Sequence, residues 1–366
     1  MKKRVLIVVA FMLSITMILA ACGGGGGGSS TPAPAPATPA PAPADAAPAD
    51  DPDKPDSPIK LVIAHGLNET NPCAILCLDF KDYLDTTYPG WFDVEIYPLG
   101  QLGSEREIIE SCQEGSIQVV SCSTSPFTGF TLDAGIFNIP WAIQSNDELL
   151  AVLADDEFIG AFNKFFDGIG LRIALLAPAA FRGFESARPV RTLEDFQGLK
   201  MRVMTIDAHI ATWNALGCST YQLPFSELST ALEQGLADAH DSNFSLAIAN
   251  SLYSEKVKYF TVINQLPGVV PYVMNADWFN GLTPKQQDVV MEAWDVAYGM
   301  YPDMVKVEEQ AAYDMAEEVG GEVFVLSAED IAKGAELVKP AWDIVKAEVS
   351  PELYDAYFKA IEKARG

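Results

Sequence analysis

Five hydroxyl residues, each followed three positions later by an acid or an amide, punctuate the chain between residues 104 and 330. They are Ser104-x-x-Glu107, Ser145-x-x-Glu148, Thr192-x-x-Asp195, Thr283-Pro284-x-Gln286 and Ser327-x-x-Asp330. This is capping-box spacing: the hydroxyl accepts from the third backbone amide of a helix, and the acid or amide reaches back to the first residue. Each therefore marks a helix start, while Gly115, Gly198 and Gly235 stand where helices stop. Between them lie short apolar or alternating runs that read as strands: "KLVIA" (60–64), "FDVEIY" (92–97), "IQVVS" (117–121), "RIALLA" (172–177), "KMRV" (200–203) and "YFTVI" (259–263). Strand and helix alternate, which predicts an α/β fold with largely parallel sheets. From Pro284 to Val319 the pattern is almost continuously helical. Such a helix would reach roughly 50 Å, more than one small lobe, with a kink or break expected at Pro302.

The first 57 residues belong to none of this. Lys2, Lys3 and Arg4 precede the apolar run Val5–Leu19, and Leu19-Ala20-Ala21-Cys22 follows. This reads as a signal peptide over 1–21, and it resembles a bacterial lipobox, which implies lipidation of Cys22. Residues 22–57 read as that cysteine plus a tether. Six glycines and an Ala/Pro repeat favour flexible and then extended chain and have nothing to bury. The expected product is an exported domain held to the cell membrane by lipid alone, facing the periplasm or the exterior. The remainder, 58–366, is long for one core and predicts two lobes.

The formal charge is −26, nearly all of it within 58–366, which argues against nucleic acid or anionic lipid as a partner. Five cysteines remain beside Cys22: Cys73, Cys77, Cys112, Cys122 and Cys218. Reduced core thiols are the main expectation, with a Cys73–Cys77 disulfide as the alternative. No zinc spacing, phosphate loop, nucleophile elbow or H-E-x-x-H motif is present, so neither metal nor cofactor is expected and the chain does not read as an enzyme. His65, His209 and His240 are scattered and read as structural.

Against this acidic background, "FRGFESARPVRTLEDFQGLKMRV" (181–203) carries five of the 24 basic residues: Arg182, Arg188, Arg191, Lys200 and Arg202. In the strand at its end Lys200 and Arg202 share a face, opposite Met201 and Val203. An arginine at the carboxyl end of a parallel strand sits where α/β folds place ligands, and its fork suits a carboxylate. The competing reading is an ion pair with one of the chain's own acids. Arg188 and Arg191 flank a turn and should be solvated; Arg202 should be the buried one.

Several segments together resemble the solute-binding proteins of tripartite ATP-independent periplasmic (TRAP) transporters, the DctP type. They are "GQLGSEREIIESCQEGSIQVV" (100–120), "FRGFES", "PVRTLEDFQGLKMRV", "LPFSELSTALEQGLADA" (223–239) and "SLYSEKVKYF" (251–260), with "NIPW" (138–141) in place of L-P-F. The matches keep family order from about Ile59 to Asn275. The resemblance implies a two-lobed periplasmic-binding-protein fold with an interlobe cleft and a long helix spanning both lobes. Residues 58–179 and 268–305 would form lobe I, and 180–267 and 306–366 lobe II. It implies an extracytoplasmic receptor that closes over a small organic acid and delivers it to a TRAP membrane permease. Arg202 would pair with the ligand carboxylate and Arg182 would be a second contact. Asn68, Glu69, Ser123 and Ser125 would contribute from the other lobe, with Phe225, Ser242 and Asn243 also on the ligand side. Phe181, Trp213 and Tyr221 are placed either against an apolar ligand body or in the core.

The chain departs from the family pattern in the part that would read the rest of the ligand. "DAHDSN" replaces D-G-Q-E-N, so that Ser242 stands where the family often has Asn, and alanines precede "FRGF". Two other classes compete with the receptor. One is an exported α/β lipoprotein enzyme such as a hydrolase, which needs a nucleophile–base pair not found here. The other is a ligand-sensing lipoprotein feeding a signalling partner.

Overall fold

The computed structural model describes residues 51–366 apart from 70, 224, 250–251, 254–255, 300, 302–309, 311–312 and 319. The expected signal peptide, Cys22 and most of the tether lie outside the described residues.

Eleven described strands form two sheets. The first has the order β2-β1-β3-β10-β4, from Ile59–His65 (β1), Phe92–Tyr97 (β2), Val119–Ser121 (β3), Leu171–Ala179 (β4) and Gly268–Asn275 (β10). The second has the order β11-β9-β5-β8-β6-β7, from Gly183–Ser186 (β5), Lys200–Val203 (β6), Ser219–Gln222 (β7), Ala239–Ser242 (β8), Tyr259–Val262 (β9) and Glu322–Val325 (β11). The expectation of largely parallel sheets needs correction. One strand in each sheet runs against both its neighbours: β10 against β3 and β4, and β5 against β8 and β9. These are the strands that follow the two crossings, β4 into β5 and β9 into β10. A chain that leaves one sheet at its strands' carboxyl ends enters the other at the same edge, and so must run opposite to the parallel strands there. The two sets of carboxyl ends therefore face one another, which is where an open α/β sheet takes its ligand.

The crossings lie side by side. Arg182 N–H donates to the Leu266 carbonyl (3.0 Å), and Gly268 pairs with Ala179. A Cβ at Gly268 would sit 2.5 Å from the Ala180 carbonyl oxygen, so only glycine allows this approach. Trp141 braces the same place, its amide on the Gln265 carbonyl (2.7 Å) and its indole N–H on the Ile263 carbonyl (2.8 Å). It holds these bonds from a left-handed backbone (φ 55°).

Alternation along β1 divides the first lobe's interior into two layers. Leu61 and Ile63 pack with the helices Pro72–Thr87 and Pro284–Tyr298, where Phe80 stacks on Trp294 at 4.0 Å. Val62 and Ala64 join the opposite layer with Ile109, Phe127 and Phe162. All five sequence-read caps form: Ser104, Ser145, Thr283 and Ser327 accept from the third helical amide, and Thr192 completes a capping box on the 3-10 turn Leu193–Phe196. Gly115, Gly198 and Gly235 adopt the left-handed stop (φ 82°, 74° and 70°). The five cysteines are free and buried, and burial pushes the Cys112 and Cys218 thiols up to about 12.

Two expectations about the C-terminal third are revised. The regular helix from Pro284 ends at Tyr298 with Gly299 as its cap. The Gly299 amide closes that end on the Asp295 and Val296 carbonyls, and the break expected at Pro302 lies outside the described residues. Residues 313–318 are helical again, and the expected reach between lobes falls on 302–309, outside the described residues. Nor does 306–366 belong wholly with the second sheet. The helix Lys339–Glu348 packs on Asp207–Ala215 of that lobe, but Pro351–Arg365 packs on the first lobe's helices Asn146–Leu153 and Asp156–Asp167. Leu353, Tyr357 and Ile361 enter the first lobe's core, and Lys363–Asp155 (2.6 Å) and Arg365–Glu148 (3.0 Å) fasten the outside.

Candidate functional site

Strand β6 sorts its side chains as alternation requires. Met201 and Val203 enter the core beside Phe184 and Trp213, and Arg202 emerges on the other face. Arg202 is 4% exposed. Its Nε donates to the Leu223 carbonyl (3.0 Å), and among the described residues no carboxylate lies within ion-pair distance of it. Burial pushes the guanidinium down to about 10, with Asp241 opposing and Arg182 adding to the shift. An arginine remains charged at neutral pH all the same, so it is left holding a buried charge.

Arg182, at the start of β5, differs. Its Nε donates to Asp241 Oδ2 (2.8 Å), and Nη2 donates to the Asp241 carbonyl. Asp241 is fully buried; burial alone would raise its carboxyl, but Arg182 and His209 hold it well below the usual carboxylate range. His209 Nδ1 accepts from the Met204 amide (3.1 Å), which leaves the proton on Nε2, 3.0 Å from Asp241 Oδ2. The other tautomer would accept from Trp213 Nε1 (3.2 Å) but would turn a lone pair onto the carboxylate. His209 is thus a neutral donor to Asp241.

The register of the second sheet creates a lateral row beside Arg202. Tyr221 of β7 is its paired neighbour on one side. Met201 pairs with Ala239, which puts His240 of β8 beside Arg202 on the other, and Glu185 of β5 pairs with His240. Glu185 Oε2 and His240 Nδ1 are 3.4 Å apart, and Ser242 Oγ donates to Glu185 Oε1 (3.1 Å). Burial lowers His240 to about 3 and, with Asp241 adding to it, raises Glu185 far above its ordinary value. Among the described residues, both nitrogens of His240 and Oε2 of Glu185 lack a hydrogen-bond partner.

The remaining candidates separate. Asn68 and Glu69 are exposed in the loop after β1, and Ser123 is exposed after β3. Ser125 Oγ lies 3.7 Å from Met204 Sδ, which brings this first-lobe segment to the end of β6. Glu105 remains wet but recessed on the same lobe; partial burial pushes its carboxyl up, and its charge acts on Cys122, next to Ser123. Tyr221 is 47% exposed beside Arg202. Phe181 is buried and lines a small pocket at the crossings with Phe244, Asn264 and Tyr313. Asn243 Oδ1 caps the helix Phe244–Ala249 through the Leu246 amide (2.7 Å). Phe225 opens the helix Phe225–Gln234, and its side chain is outside the description. Two expectations are corrected. Trp213 is fully buried and faces no cleft, because its helix Asp207–Ala215 turns it inward against Phe184 of β5 and Phe196. Ser242 is buried too, its hydroxyl directed to Glu185 rather than outward. Sequence reading missed Asp241, Glu185 and the pairing role of His209; the only trace was the acid and histidine in "DAHDSN" where the family pattern has Glu and Gln.

Residues 63–348 match the family described as bacterial extracellular solute-binding protein, family 7 (DctP). The uncharacterized protein YiiZ of Salmonella typhimurium is 28% identical over 208 residues, 56% of this chain but only 62% of that protein. The C4-dicarboxylate-binding periplasmic protein DctP of Shewanella loihica is 25% identical over 311 residues, covering 82% of this chain and 89% of that one. Among solved structures, the sugar acid binding protein DctPAm of Advenella mimigardefordensis, in complex with galactonate, superposes with a TM-score of 0.77 at 24% identity. That match covers 84% of this chain and 99% of the other. With the family match spanning both sheets and both crossings, this chain belongs to the DctP family, the solute-binding proteins of TRAP transporters.

Proposed function

We propose that the protein is an extracytoplasmic receptor that captures a small organic acid between its lobes and presents it to a TRAP-type permease. The observation that carries this reading is Arg202: a buried guanidinium, aimed from the carboxyl end of β6, with a backbone carbonyl but no described carboxylate beside it. A ligand carboxylate supplies the missing charge. The relatives support the ligand class, since one is named for C4-dicarboxylates and another holds galactonate. Asn68, Glu69, Ser123 and Ser125 close from the first lobe as the chain bends at the crossings, 180–182 and 263–267. Ligand binding shifts an open–closed equilibrium by its differential affinity, and no bond is broken. Lipid on Cys22 and the tether that follows hold the domain at the membrane within reach of the permease.

Mass spectrometry of small molecules released from the purified, denatured chain tests the class, and calorimetry then tests the residue. Removing one partner of a buried charge pair costs about 3–5 kcal/mol, a loss of roughly a hundred- to several-thousandfold in affinity. Arg202→Ala is expected to bind that much more weakly while staying folded. Arg202→Lys is also expected to bind poorly, because a point charge cannot make two parallel bonds. Wild-type affinity in Arg202→Ala would overturn the reading. For the anchor, Cys22→Ala is expected to lose all incorporation of labelled fatty acid.

A further inference from the structure

The two arginines are not equivalent in charge. Arg182 is cancelled: Asp241 faces it with a carboxylate oxygen at 2.8 Å and its own carbonyl, and His209 donates to the same oxygen without bringing a charge. Arg202 is not cancelled. Burial favours the uncharged form of both its neighbours in the row, His240 and Glu185, whose facing atoms stand 3.4 Å apart. Tyr221, at the end of the row, brings a hydroxyl rather than a carboxylate. The second lobe thus presents one net positive charge to the cleft.

Among the described residues, the first lobe's arginines and Lys81 are already engaged. Arg106 is taken by Glu110 (2.9 Å) and lies over the Phe130 ring, Lys81 is paired with Asp85, and Arg172 lies over Phe279 at the far end of β4. Among the described residues, Asn68 and Glu69 follow β1, Ser123 and Ser125 follow β3, and Glu105, at the start of the helix Glu105–Gln113, acts on Cys122 beside Ser123. Ser125 Oγ lies 3.7 Å from Met204 Sδ, two residues beyond Arg202, so the segment after β3 meets the second lobe at the end of the arginine's strand.

We infer that the cleft is built for a monoanion: an organic acid with one carboxylate for Arg202 and an uncharged, hydrogen-bond-donating remainder for the first lobe, with dicarboxylates rejected. The inference rests on the receptor reading above and narrows its ligand class. A second carboxylate has nowhere to go. Arg182 is already bonded to Asp241, and the first-lobe groups named above bring an amide, hydroxyls and carboxyls but no cation. Like charges brought together in a desolvated site cost several kcal/mol, so a dicarboxylate should bind roughly a hundredfold or more below an equally shaped monoanion. A hydroxyl or amide in the same place can instead donate to Glu69 or Glu105.

The test uses the full chain, dialysed free of small molecules, and matched probes at pH 7.5. Each dicarboxylate (succinate, glutarate, malate) is set against its monoamide, beside a panel of hydroxy-monocarboxylates. Thermal shift finds the binders and calorimetry ranks them. The expected result is that every acid raising the melting temperature carries one charge, and that each monoamide outbinds its diacid. A dicarboxylate that binds as well as its monoamide overturns the monoanion inference and leaves the receptor reading standing. No response to any acid overturns the receptor reading, and the inference with it. Asp241→Asn frees Arg182, so the preference within each pair should move toward the diacid by at least about tenfold. An unchanged preference in folded Asp241→Asn overturns the role given to Asp241; if that variant does not fold, the wild-type pairs still decide.

Discussion

The two lobes bury different kinds of matter. Among the described residues, the first lobe's buried polar groups are uncharged and have local structural uses. Gln118 Oε1 accepts from the Val62 amide (2.9 Å), and Asn275 Nδ2 donates to the Cys112 carbonyl (2.7 Å) while Oδ1 caps the helix Ala276–Asn280. The second lobe buries Glu185, Arg202 and Asp241, with His209 and His240 among them. Charges cost stability when taken out of water unless each is paired. One lobe is thus an ordinary packing problem, and the other stores an electrostatic deficit, which in the proposed receptor a ligand carboxylate makes good. The difference teaches where affinity and where stability should respond to substitution.

The sharpest way to break the comparison is a deletion in the apolar lobe. Trp294, fully buried and stacked on Phe80, should cost about 3–5 kcal/mol of stability when cut to alanine. Ligand affinity of the folded fraction should stay within about threefold, as urea titration and calorimetry at low temperature will show. A large affinity loss would mean that the lobes do not divide the work. In the charged lobe, Asp241→Asn leaves Arg182 without its counter-charge and should cost about 3 kcal/mol, the low end of the buried-pair range, because Arg182 is 21% exposed. The pH dependence has a definite sign. The Asp241 carboxyl is lower in the folded than in the unfolded chain, so its contribution is present above the ordinary value of 3.8 and lost as pH falls below it. Between pH 5 and 2 the wild type should therefore lose stability more steeply than Asp241→Asn.

Smaller effects sharpen the boundary between the lobes. Trp141→Phe keeps the ring but removes the indole bond to Ile263 at the crossing, and should cost about 1 kcal/mol. Its effect on affinity reports whether that bond favours the open or the closed form. Arg191, exposed and lying over the Phe324 ring, should change affinity less than about threefold on substitution by alanine, and stability by less than about 1 kcal/mol. The same opening segment would then contain a decisive cation and a dispensable one.

Local physics is what the sequence makes legible. Caps need only four consecutive residues, and all five read from the chain form. Strands β1 and β2, with three or more apolar residues in alternation, lie where the runs placed them. Strands β5, β7, β8 and β11 have four residues each and give no periodic signal of their own. Strand β10 was hidden by Pro271, which interior strands avoid; it is tolerated next to a register shift between Tyr272 and Val273. Arg202 was readable because alternation along one strand settles which way it points. Asp241, and the meeting of Glu185 with His240, depend on the antiparallel register of β5 and β8, 57 residues apart for Glu185 and Ser242, and no local pattern announces that.

The return of the last helix to the first lobe sets an order of events. Tyr357 packs on Phe137 and Phe158, closing an aromatic cluster whose other members lie some two hundred residues earlier. A chain that emerges with its N-terminus leading offers those rings to solvent, or to a chaperone, long before their cover exists. The first lobe to appear is therefore the last to finish, and its folding waits on the final fifteen residues. Such long-range closure slows folding.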